Sequence, residues 1–248
     1  MKKTLLLAFA VFLCTANAKA ENRVEKFGVF DHVSIGITAF DILNGWGFEA
    51  AAPITDFVQF RAGYVFLPKF HYTTDFEYNK NDGTTGDVPV KFQLNKGDAK
   101  LLFDVFPIRK SSFHLTVGAF IGKNKFLTAE TTRALDDVKP GEGLIVGDYT
   151  LGADASGIIR ASIKSKTFKP YVGIGFGRPV PKKRVSCCFD MGVLFWGSPA
   201  VYGYDVDDHS EHKITSTDTG EETAKYFDIL GKIKIYPSIS LRINGRIF

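Results

Sequence analysis

The sequence is poor in cysteine: only three occur among 248 residues. Cys14 lies in an N-terminal leader, so Cys187 and Cys188 remain, too few for a disulfide scaffold. Beyond the leader there is no run of roughly 18 apolar residues, which excludes a membrane-spanning helix. A charge excess is also missing. The formal net charge of +4 falls to +2 once Lys2 and Lys3 are set aside, and such a balance gives no reason to invoke nucleic acid. Sustained helical periodicity is absent, with Glu221 to Tyr226 alone reading as a short helix within a loop.

The leader itself is explicit. Lys2 and Lys3 precede an unbroken apolar stretch from Leu5 to Leu13, followed by Ala16-Asn17-Ala18 and Ala18-Lys19-Ala20. A positive start, an apolar middle and small residues at alternate positions read as a secretory signal peptide over residues 1–18, cleaved after 18 or 20. Leu13 is not the small residue that a lipidated Cys14 requires. A short segment, 19–30, then leads into one domain over 31–248.

That domain is written in period two, the signature of strands with two unlike faces. Val33, Ile35, Ile37 and Ala39 alternate with Ser34, Gly36 and Thr38. Trp46, Phe48 and Ala50 alternate with Gly47 and Glu49, and Val58, Phe60, Ala62, Tyr64 and Phe66 with Gln59, Arg61 and Gly63. Further runs fall at 99–105, 113–121, 159–163, 172–176, 189–195, 200–204 and 233–247. The count predicts about ten strands, with eight as the alternative.

Which face is dry decides between a soluble sandwich and a membrane barrel. Water-facing strands of a sandwich carry long charged side chains, whereas here the polar face is rich in Gly, Ser and Thr with single charges of both signs. Small residues with paired charges suit a crowded interior, so the reading is all-β: a single-domain transmembrane antiparallel up-and-down barrel. Hydrocarbon offers no partners to backbone N–H and C=O, so a spanning sheet must close on itself. Trp46, Tyr64, Phe66, Phe113, Phe195 and Tyr204 are expected as interfacial aromatic girdles. Thr55 to Phe57, Ile108 to Ser112, Ser165 to Lys169 and Trp196 to Pro199 read as short periplasmic turns. Glu77 to Lys96, Lys123 to Asp148, Arg178 to Arg184 and Asp205 to Lys225 read as long external loops.

The chain resembles the small outer-membrane β-barrel proteins of Gram-negative bacteria, of an uncharacterised type. The residues that carry the resemblance are Thr55-Asp56-Phe57-Val58-Gln59-Phe60-Arg61-Ala62-Gly63-Tyr64, Gly192 to Pro199, and Ile235-Tyr236-Pro237-Ser238-Ile239-Ser240-Leu241. It implies an outer-membrane location, contact with outer-membrane lipids and lipopolysaccharide, and insertion by the barrel-assembly machinery. A terminal Phe248 resembles the signal read by that machinery. The apolar alternation before it falls one residue out of phase, which a bulge at Asn244-Gly245 would restore.

Candidate functional residues are the charges of the inward face: Glu49, Arg61, Lys100, Asp104, Arg160, Asp190, Arg242 and Arg246. Isolated charges in an enclosed lumen are costly, so they should pair. Their basic excess also admits a second reading, a narrow passive route for small anions. The main expectation is a monomeric barrel with a structural or surface-interaction role through its external loops. A lipid-modifying hydrolase is the third reading, and the sequence assigns no catalytic residue, cofactor or metal. Gly173, Gly175 and Gly177 read as inward glycines that relieve crowding, not a phosphate loop. Cys187 and Cys188 should face opposite ways, which works against a joint role. His114 faces inward near a turn. Asp207-Asp208-His209-Ser210-Glu211-His212 reads as a solvated loop despite its ligand-type side chains.

Overall fold

A computed structural model describes residues 28–42, 44–79, 85–135, 143–146, 149–205, 210–215 and 221–247. The expected signal peptide over 1–18, most of the 19–30 segment, residues 207–209 and Phe248 lie outside these.

Eight strands close a barrel: β1 (Ser34–Asp41), β2 (Gly45–Thr55), β3 (Val58–Phe66), β6 (Gly97–Val105), β7 (Phe113–Gly122), β12 (Phe168–Phe176), β13 (Val185–Phe195) and β16 (Ile235–Arg246). All neighbours are antiparallel, and the circuit closes through Ser34↔Arg246 and Ile35↔Gly245. The fold is therefore the eight-stranded alternative. Of the ten runs read as wall strands, those at 159–163 and 200–204 do not belong to the barrel.

Those two runs, as β11 (Arg160–Lys164) and β14 (Ala200–Tyr204), join a second sheet. Its other members are β4 (Phe70–Asn79), β5 (Thr85–Leu94), β8 (Lys125–Thr131) and β15 (Glu211–Lys213), in the order β15-β14-β11-β8-β5-β4. The order mirrors the wall. β4 follows β3, β5 precedes β6, β8 follows β7, β11 precedes β12 and β14 follows β13, so the sheet continues the barrel wall beyond a break. We call it the crown. The segments read as long polar loops, 77–96 and 123–148, thus hold strands, and β9 (Gly143–Val146) in the second pairs with β10 (Tyr149–Gly152) just beyond it as a small hairpin. The expected short helix is real and longer, α1 (Glu221–Lys232). Two of the breaks fall where ladder pairing fails: between β3 and β4 Pro68 lacks an N–H, and between β13 and β14 Gly197 adopts φ +84° with Pro199 two residues on.

Removing both β11 and β14 from the wall reverses the direction of the two wall strands between them, β12 and β13, and leaves that of β16 unchanged. The segment 178–184 lies at the end that carries residues 34 and 246, not at the crown end. Ser34 donates to the Pro179 carbonyl at 2.7 Å, and Arg246 N–H donates to the Arg184 carbonyl at 2.9 Å. Ser165 to Lys169 and Trp196 to Pro199 conversely sit at the crown junction. Tyr204 belongs to the crown and to no girdle of the barrel.

The barrel's faces are as the alternation demands. Ile35, Ile37, Phe48, Leu101, Val117, Ile174, Met191 and Ile243 point outward and are exposed, drawn from every wall strand but β3, which contributes Tyr64 and Phe66. Trp46 pairs across β2 and β3 with Phe66 near the crown end, and Phe113 and Phe176 lie 5.5 Å apart near the other. One bulge, between Thr38 and Phe40, turns both Ala39 and Phe40 outward and Asp41 inward. No bulge occurs at Asn244-Gly245, whose register on β1 and β13 is continuous.

Candidate functional site: the barrel lumen and its crown-side mouth

The lumen is filled in layers. At its centre Arg242, wholly buried, donates through Nε to Asp190 Oδ2 at 2.7 Å, and its terminal nitrogens contact both Asp190 and Glu49. Lys100 Nζ lies 2.6 Å from Glu49 Oε2, and Arg61 Nε 2.6 Å from Asp104 Oδ2. Arg61 also reaches Glu49 and Asp190, at 3.8 and 3.7 Å. Six of the eight expected charges therefore converge: Glu49, Arg61, Lys100, Asp104, Asp190 and Arg242. They come from five strands because each strand offers every second residue to one small interior.

Two do not converge. Arg160 sits on the crown, half exposed, pairing with Asp154 at 2.8 Å and Glu130 at 3.6 Å. Its run alternates like a wall strand but is only five residues long. Arg246 ends β16 at the barrel rim and is partly exposed. Without these two arginines the cluster holds three acids and three bases, so the basic excess behind the anion route is gone.

His114 is the member that sequence reasoning left out. It is fully buried, with Nε2 2.8 Å from Asp190 Oδ1 and its ring 5.1 Å from that of Phe106. Its inward phase on β7 was the available signal. Asp104, His114 and Asp190 offer ligand atoms within 4.8 Å of one another, a spacing a cation could use. Arg61 and Arg242 already supply positive charge to both carboxylates, which disfavours an added cation. Gly175 explains how the three fit: a Cβ there would stand 2.4 Å from both Asp190 Oδ1 and His114 Nε2. Cys188 faces inward and receives the Asn244 amide at 3.2 Å, whereas Cys187 is partly exposed on the other face.

Apolar layers lie on both sides of the ions. Towards the crown, Val65, Leu102, Phe120, Tyr171, Leu194 and Tyr236 form one buried cluster inside the barrel. Towards the chain-terminal end, Phe106 and Val180 are fully buried. Val180 packs on Ala51, and its N–H donates to Gln59 Oε1 at 2.9 Å, so the 178–184 segment folds into the opening.

At the crown-side mouth a polar layer recurs. Lys96 donates to Asn44 Oδ1 at 2.7 Å and to the Tyr236 hydroxyl, which donates to Asn44 Oδ1 at 3.2 Å. Lys169 donates to Asp98 at 2.5 Å, and Ser238 to Asp41 at 3.0 Å. Burial pushes the Lys96 ammonium down to about 8; Asp98 opposes this and the Lys169 charge adds to it. On the crown, Glu211 joins Lys125 and Lys164 at 2.5 and 2.6 Å. Partial burial would raise its carboxyl, but hydrogen bonds from the two lysines outweigh this and lower it. Ser210 and His212 lie 2.9 Å apart beside it; residues 207–209 of the same loop are outside the described residues.

No protein-family model matches the chain, and no curated protein matches it. Among solved structures it is similar to CarO2 of Acinetobacter baumannii, at 15% identity and a TM-score of 0.47, over 90% of this chain and 99% of that one. CarO of the same organism gives 17% and 0.46 over 90% and 99%. A major outer membrane protein of Thermus thermophilus gives 16% and 0.37 over 90% and 98%. The fold of this chain stands on the closed register of its own eight strands.

Proposed function

We propose that the chain is an integral outer-membrane barrel, sealed along its axis, which holds the crown beyond the bilayer as a surface for interaction. One observation carries the reading: around a closed wall, apolar side chains face outward while Glu49, Arg61, Lys100, Asp104, Asp190 and Arg242 are buried within. A water-soluble protein has the opposite arrangement. Wall strands of 8–12 residues suit the roughly 9–11 that a tilted strand needs to cross hydrocarbon. Outer-membrane lipid and lipopolysaccharide would cover the wall, the assembly machinery would insert it, and no reaction is assigned to it.

The test is fractionation with heat-modifiable gel mobility. The protein is expected in the outer-membrane fraction after an alkaline wash and to migrate faster before boiling. A mature chain that stays dissolved without detergent overturns the reading. The apolar layers above and below the neutral ion cluster argue for a sealed axis. Planar-bilayer recordings should therefore show no discrete steps, and regular unitary conductance would refute the seal.

A further inference from the structure

A half-enclosed cavity of about 410 Å³ lies at the junction of barrel and crown. Leu94, Phe126 and Ile163 line it from the crown side, Trp196 and Tyr236 from the barrel rim, and Ile233 from the end of α1. Its wall is almost wholly carbon. An apolar cavity of roughly 150 Å³ already takes up benzene, and ligand pockets run from about 300 Å³ upward. The aromatic side is rigid, because Trp196 packs between Phe126 at 5.2 Å and Tyr236 at 5.1 Å, and its indole N–H donates to the Ile233 carbonyl.

Charge at the cavity is one-sided. Lys96, Lys123 and Lys169 all contribute to the lining, and among the described residues none that lines it is acidic. The ammonium groups of Lys96 and Lys169 turn into the barrel mouth, towards Asn44 and Asp98. That of Lys123 is exposed at the rim, 3.2 Å from Asn95 Oδ1. The site therefore offers a greasy chamber with a cation at its lip.

We propose that this cavity binds a single alkyl chain whose anionic head rests beside Lys123. A free long-chain carboxylate and one chain of an anionic phospholipid share this chemistry. The inference goes beyond the proposed function and rests on the cavity alone.

Trp196 makes the test direct, since Trp46 is the only other tryptophan and stands exposed on the outer wall. Full-length W46F protein in lipid nanodiscs would be titrated with doxyl-labelled stearate, its methyl ester, or doxyl-labelled phosphatidylglycerol built into the disc. Size-exclusion chromatography scores incorporation separately, so failure of the membrane reading is distinguishable from failure of binding. Saturable quenching of Trp196 is expected. It should be lost on filling the cavity with Leu94→Phe and Ile163→Phe. Lys123→Glu, at an exposed site that should leave folding intact, should weaken stearate about five- to tenfold and leave the ester unchanged. Quenching by added stearate alone identifies a free carboxylate as the source, and quenching by the disc lipid identifies phospholipid. No saturable quenching with any probe, quenching unaltered in the filled variant, or equal binding of stearate and ester overturns the proposal.

Discussion

Replacing Arg242 by Met tests the sealed lumen most sharply. The substitution keeps the apolar stem and removes a guanidinium that contacts both Glu49 and Asp190. The cluster then holds three acids against two bases. Glu49 keeps Lys100 at 2.6 Å, but Asp190 is left with Arg61 at 3.7 Å and His114 at 2.8 Å. In a dry interior, removing one partner of a buried pair costs about 3–5 kcal/mol, because the remaining charge is uncompensated. In a water-filled lumen the same pair is worth only about 0–1 kcal/mol. Urea unfolding in detergent micelles, followed by the fraction that keeps its fast gel mobility, reads the difference. R242M is expected to lose about 3–5 kcal/mol, and adding Asp190→Asn should recover a large share by restoring neutrality. A loss under about 1 kcal/mol, with no recovery in the double variant, would mean that water fills the barrel.

The other expectations use the same unfolding assay. Gly175→Val should cost at least about 1–3 kcal/mol, because its Cβ must displace the Asp190 and His114 side chains. Gly231→Ala in α1 meets nothing within 4 Å and should be neutral or stabilise by up to about 1 kcal/mol. Arg160→Ala, half exposed on the crown, should change stability by less than about 1 kcal/mol. Lys96 has a folded value near 8 against 10.5 when unfolded, so between those pH values the unfolded chain binds more protons. Stability should climb across that window by up to about 3 kcal/mol, and Lys96→Met should flatten the climb.

Most of the barrel could be read from alternation, because a strand with one face turned outward and one in a narrow lumen must alternate cleanly. The strand count misled for a physical reason. β11 and β14 alternate too, since the crown also has two faces, but at five residues each they are too short to span hydrocarbon. Length was the unused signal. The error carried Arg160 and Tyr204 into the barrel and sent the 178–184 segment to the wrong end. The convergence of Glu49, Arg61, Lys100, Asp104, Asp190 and Arg242 was legible, because inward phase forces residues from all round a small wall together. The apolar layers above and below them were not, since inward Val65, Leu102, Phe120 and Leu194 break the polar rhythm of their own strands. The junction cavity depends on α1 and the break between the sheets, neither of which period two describes.

The breaks between wall and crown are short: two to four residues separate β3 from β4, β5 from β6, β7 from β8, β11 from β12 and β13 from β14. Once the wall has zipped shut, neighbouring crown strands are already side by side, and little further loop-closure entropy stands against their pairing. The crown is thus stitched from several separate lengths of chain and has no existence as an excisable unit. Its strand order is inherited from the ring below.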